Sequence, residues 1–64
     1  MENRLKVLRA EQDVTQGGLA EELGVSRQTI NSIENGRYLP SLELAFGMAE
    51  FFDCSVKDIF YREG

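Results

Sequence analysis

Four polar side chains, Arg27, Gln28, Asn31 and Ser32, fall on one side of a segment whose other side carries Ile30 and Ile33. At about 100° per residue in a helix, the isoleucines point inward with Ser26 and Thr29 beside them, and the four polar residues point outward. None is a carboxylate, and each can hydrogen-bond to the edge of a base pair. Arg offers paired donors to guanine O6 and N7, Gln or Asn matches adenine in the same bidentate way, and Ser donates or accepts. A polar helix face is more often simply solvated. The missing acidic residues and the turn that precedes this segment favour base reading in a major groove over that alternative. Other chemistry is poorly supplied. The chain has no histidine and one cysteine, Cys54, which removes the usual general base, an internal disulfide and a Cys/His zinc cluster. No catalytic residue, cofactor or metal is expected.

Positioning that face falls to the run from Gln16 to Asn35, QGGLAEELGVSRQTINSIEN. Leu19, Ala20 and Leu23 form the inner stripe of one helix, Gly24 ends it, Val25 plugs a turn, and Ser26 opens the next helix. A small residue at Ala20 allows two helices to cross closely. Gly24 supplies the left-handed conformation that such a turn needs. This is the spacing of a helix-turn-helix over about residues 16–35. Before it, Leu5, Leu8 and Val7 predict a first helix from about Glu2 to Glu11. Thr15 is the expected N-cap of the second helix and Ser26 of the third. Asn35-Gly36 breaks the chain, and Pro40-Ser41 precedes a fourth helix over Leu42 to Phe52, with Ala45, Met48, Ala49 and Phe52 at helical spacing. Ser55 and Asp58 form a capping-box pattern for a fifth helix carrying Val56, Ile59 and Phe60. No strand-like alternation, repeat or linker is visible. The predicted architecture is all-α, a single domain over residues 1–64 built as a compact bundle of five short helices.

A chain of 64 residues, 42% of them hydrophobic, is near the size at which one core is only marginally sufficient, so self-association is expected. No apolar stretch approaches membrane-spanning length, and the protein is expected to be soluble and cytoplasmic with no membrane partner. The net charge of −4 argues against nucleic acid if taken alone. Its distribution softens the objection, because Glu43, Glu50, Asp53, Asp58 and Glu63 crowd the second half. Between Gly24 and Leu42 the only charges are Arg27, Glu34 and Arg37.

Over nearly its whole length the chain resembles the small single-domain Cro/C1-type (XRE) helix-turn-helix regulators. The resemblance is carried by Leu5, Leu8 and Arg9, by Thr15-Gln16 with Leu19-Ala20, by Gly24-Val25-Ser26, Ile30 and Ile33-Glu34-Asn35-Gly36, and by Pro40 and the closing Val56 to Phe60. It implies a lambda-repressor-like fold, no enzymatic activity, and sequence-specific binding of duplex DNA. It further implies a homodimer on a palindromic operator, with repression the commonest outcome and a nucleoid location through DNA. By the same resemblance Arg27, Gln28 and Ser32 read bases, with Asn31 flanking. Gln16 holds a phosphate, and Asn35, Arg37 and Tyr38 meet the backbone, with main-chain N–H groups contributing at Gly17 and Ser26. Arg9 and Glu34 match a charged pair that ties the first helix to the end of the third, a structural role.

Gly17-Gly18 departs from the family pattern, which favours helix formers, often acidic, in this first turn. The pair costs about 1 kcal/mol against alanine. Closer approach of phosphate and simple drift are both open readings. Leu44, Phe46, Phe51 and Tyr61 exceed what one narrow helix stripe can bury, and with Phe60 they are the expected dimer interface, formed by the C-terminal helices over about residues 42–61. The alternative is an antitoxin-like module that binds a protein partner through this apolar half. Cys54 is expected to be a small buried hydrophobe, and Asp53 to take the left-handed conformation at the end of the fourth helix.

Overall fold

Caps divide this chain more sharply than helix propensity does. The computed structural model describes residues 1–62; Glu63, counted among the acidic residues above, lies outside the described residues. Five helices are seen: α1 Leu5–Glu11, α2 Gln16–Leu23, α3 Arg27–Glu34, α4 Leu42–Phe52 and α5 Val56–Ile59. Thr15, Ser26 and Ser41 each accept from a backbone N–H three residues on, satisfying one of the four donors a helix start leaves open. The Ser55 N–H and hydroxyl both donate to Asp58 Oδ2, at 3.0 Å each, which fastens the first turn of α5.

The four longer helices end alike. At each end one residue takes a positive φ: Asp13 at 57°, Gly24 at 71°, Gly36 at 73° and Asp53 at 54°. The following amide then reaches back to a carbonyl in the last turn, as Val14 to Arg9, Val25 to Ala20, Arg37 to Ser32 and Cys54 to Ala49. This is the Schellman arrangement, which satisfies carbonyls that the helix itself cannot. Asp53 adopts the expected conformation. Asp13 does the same at the end of α1, which the sequence reading did not anticipate.

Three expectations are corrected. The first helix begins at Leu5, because Glu2–Asn3 forms a short strand, β1, paired antiparallel with β2, Phe60–Tyr61. Phe60 therefore belongs to a strand and not to the fifth helix, which stops at Ile59. Val7 is 47% exposed and lies off the buried stripe of α1. The strands join the two ends of the chain through the register Glu2 to Tyr61 and Asn3 to Phe60, extended by Arg4 N–H donating to the Ile59 carbonyl at 2.8 Å.

Leu5, Leu19, Ile30, Ile33, Met48 and Ile59 are fully buried, one or more from every helix. Ala20, Ala45, Ala49 and Phe52 complete the core. Gly47 brings α4 close to α2: a Cβ there would sit 3.5 Å from Leu23 Cδ2. Ile30 and Ile33 thus fix the rotation of α3 about its own axis, and truncating either to alanine would cost roughly 2–5 kcal/mol.

Candidate nucleic-acid interface

Because Ile30 and Ile33 face the core, the opposite side of α3 faces solvent. Arg27, Gln28 and Asn31 are exposed and Ser32 is half-buried. Ser26 holds the start of this helix, accepting from Thr29 N–H at 3.1 Å and sharing a hydroxyl contact with Thr29 Oγ1 at 2.9 Å. Asn31 Oδ1 accepts from Asn35 Nδ2 at 3.2 Å, linking a base-reading candidate to a backbone-contact candidate. The left-handed Gly36 and the Arg37 N–H to Ser32 carbonyl bond of 2.9 Å fold the following loop back against α3. The result is a hollow of about 360 Å³ lined by Ser26, Gln28, Thr29, Ser32, Arg37 and Tyr38. It joins members of the two expected contact groups and adds Thr29, which by helical phase lies beside the inward isoleucines.

A second network holds α3 against the other helices. Arg9 Nε donates to Glu34 Oε2 at 2.5 Å, Nη2 to Oε1 at 3.1 Å, and Nη1 to the Val14 carbonyl at 2.9 Å. The Glu34 hydrogen bond pushes the Arg9 guanidinium further up from a range in which it is already always charged. Gln16 Nε2 donates to the same Glu34 Oε1 at 3.1 Å. One hydrogen of the Gln16 amide is thus engaged inside the protein. Asn3 completes the set: its Nδ2 donates to the Ile33 carbonyl at 2.9 Å and its Oδ1 accepts from Leu5 N–H at 3.1 Å. No local pattern marked Asn3, since its partner lies thirty residues away.

The expected interface residues separate into two groups. Leu44, Phe51 and Phe60 are half-buried against the chain's own core, Phe51 edge-on to Phe52 with ring centroids 4.9 Å apart. Phe46 and Tyr61 stand clear, at 55% and 42% exposure, and Leu39 and Leu42 are exposed as well. Cys54 is half-buried and free. Burial, and after it the charges of Asp58 and Asp53, pushes its thiol up. No group of metal-ligating side chains is present among the described residues, and no helix there is long and apolar enough to cross a membrane.

Comparison with known proteins agrees with this geometry. A family model described as helix-turn-helix matches residues 5–59. An uncharacterized HTH-type transcriptional regulator of Methanocaldococcus jannaschii is 56% identical over 63 residues, 98% of this chain and 96% of the relative. The uncharacterized HTH-type transcriptional regulator YgzD of Bacillus subtilis is 43% identical with the same coverage, 98% and 96%. Among solved structures, a candidate DNA-binding protein from Bacteroides fragilis superposes with a TM-score of 0.81 at 33% identity, covering 91% of this chain and 94% of that one. The clp gene regulator ClgR from Corynebacterium glutamicum gives 0.77 at 35% identity over 84% of this chain and 57% of its own.

Proposed function

The chain belongs to the helix-turn-helix family of DNA-binding transcriptional regulators, which are not enzymes, and from that premise we propose that it is a repressor acting as a homodimer on a palindromic operator. Arg27, Gln28, Asn31 and Ser32 read bases from the major groove. Gln16, Gly17, Ser26, Asn35, Arg37 and Tyr38 contact phosphates, with the main-chain amide of Gly17 donating at the start of α2, where a helix offers its N–H no internal carbonyl. The observation that carries this reading is the carboxylate-free outer face of α3, held in rotation by Ile30 and Ile33 and bordered by a hollow that Arg37 and Tyr38 share.

Selection from a randomised duplex pool tests it. A palindromic motif enriched by the wild type and lost or relaxed in an Arg27→Ala, Gln28→Ala double variant is the expected result. No enrichment at low salt would sink the base-reading assignment. A dimer competent for two successive major grooves places its recognition helices about 34 Å apart.

A second reading is supported by the exposed Leu39, Leu42 and Phe46: an antitoxin-like module that binds a protein partner through its apolar C-terminal half. It predicts that the purified protein stays monomeric at micromolar concentration in sedimentation, whereas the homodimer reading predicts self-association.

A further inference from the structure

We propose that Gly17 is a positioning residue for Arg27: by presenting no side chain, it keeps Arg27 unpaired and able to reach a base. The inference rests on the base-reading role of Arg27 proposed above. Gly17 is the second residue of α2 and Arg27 the first of α3, and the fold sets them side by side. Outside its own helix backbone and chain neighbours, a Cβ on Gly17 would meet only Cδ of Arg27, at 3.9 Å. The aliphatic stem of Arg27 thus passes beside the bare Cα, and any side chain at position 17 would begin in van der Waals contact with it.

Helix energetics favour a glutamate at this place, because an acidic residue in the first turn complements the dipole and every residue but proline improves on glycine in propensity. A glutamate would also carry its carboxylate to the Arg27 guanidinium and neutralise it within the protein. The first turns of α2 and α3 both lack an acidic residue. Among the described residues the ion pair formed is Arg9 with Glu34, in a chain with 11 acidic residues against 7 basic ones. Arg27 has therefore been left without a carboxylate where one would stabilise the helix. Gly18 provides the contrast. A Cβ there would lie 3.1 Å from Thr15 Oγ1, the N-cap acceptor, a tight approach to which the threonine would have to yield. No crowding accounts for Gly17, where 3.9 Å is ordinary contact.

Thermal unfolding and selection from randomised duplexes, applied to Gly17→Glu, Gly17→Gln and Arg27→Ala, test the inference. Gly17→Glu should unfold at a higher temperature than the wild type. Because Gly17 is also assigned to phosphate, this variant should bind every duplex more weakly, and beyond that uniform loss it should lose a roughly tenfold base preference at one position of each half-site, the position that Arg27→Ala also relaxes, while the other positions keep their preferences. Gly17→Gln, alike in shape and uncharged, should retain more of that preference than Gly17→Glu. The Arg27 Nε–Hε resonance should move in Gly17→Glu before DNA is added. If Gly17→Glu leaves that position unaltered, or weakens binding equally at every position as plain repulsion from phosphate would, the inference is overturned and base reading by Arg27 stands. If Arg27→Ala leaves the motif unaltered, the base-reading assignment falls, and the inference with it.

Discussion

Glu34 is the residue on which most of the recognition scaffold converges. Its carboxylate accepts from Arg9 through two nitrogens and from Gln16, and its side chain and that of Arg9 are only 5% and 14% exposed. A pair this sheltered from water costs much to desolvate, and removing one partner leaves the other charge uncompensated. Glu34→Ala is therefore expected to lose about 3 kcal/mol in urea unfolding, a large share of the stability of so small a domain. Replacing both charges, Arg9→Met with Glu34→Leu, should cost less than Glu34→Ala alone. A double variant as unstable as the single one would mean that the pair contributes net attraction and does not merely satisfy its own burial. Arg9→Lys is not conservative here, since an ammonium cannot reproduce the fork that meets both carboxylate oxygens and the Val14 carbonyl at once.

At the scale of elements, the helix ends give the most direct tests. Asp13 and Asp53 occupy left-handed positions that their counterparts Gly24 and Gly36 fill without a Cβ. Asp13→Gly and Asp53→Gly should each stabilise by roughly 0.5–1 kcal/mol, and Asp53→Val should destabilise by about 1–2 kcal/mol, in chemical unfolding. The fifth helix, only four residues long, depends on Asp58, whose carboxyl is held below its ordinary range by the Ser55 N–H and hydroxyl. A depressed carboxyl stabilises the fold above the unfolded aspartate value of about 3.9 and ceases to do so as pH falls through its lower folded value. The acid loss of stability should accordingly be shallower in Asp58→Asn than in the wild type when unfolding is followed between pH 5 and pH 2. These elements also show what sequence can convey. Caps at Thr15 and Ser26, the Gly24 turn and the Ile30/Ile33 phase are local signals, so the helix-turn-helix and the outward face of α3 were legible. The β1 and β2 strands were not: two residues carry no alternation, and their partners lie at opposite ends of the chain. Asn3 and the Gln16 bond to Glu34 escaped for the same reason, each being fixed by a contact that exists only once the helices have packed.

For the whole molecule the question is how a chain of net charge −4 holds a polyanion. Phosphate contacts release counterions, so binding weakens with salt at a log–log slope of about −0.9 for each phosphate neutralised. Most cationic help must come from few places, because the stretch presenting the hollow carries only Arg27 and Arg37 as bases. Arg37 borders the hollow on the loop side and is assigned to phosphate, so its loss should weaken every duplex to the same degree and leave the base motif intact. The change in slope counts protomers. In a homodimer each copy forfeits one contact, and Arg37→Ala should reduce the slope by about 2 units; a protein bound as a monomer would lose about 1. Fluorescence anisotropy on the selected operator and on an unrelated duplex, across a salt series, gives both numbers. Equal slopes for wild type and variant would remove Arg37 from the phosphate contacts. A drop confined to the operator would make it a reader of sequence. A drop of about 2 on both duplexes would mean that the acidic bodies of two protomers lie away from the DNA while their paired arginines meet it, so that assembly supplies the positive charge that a single chain lacks.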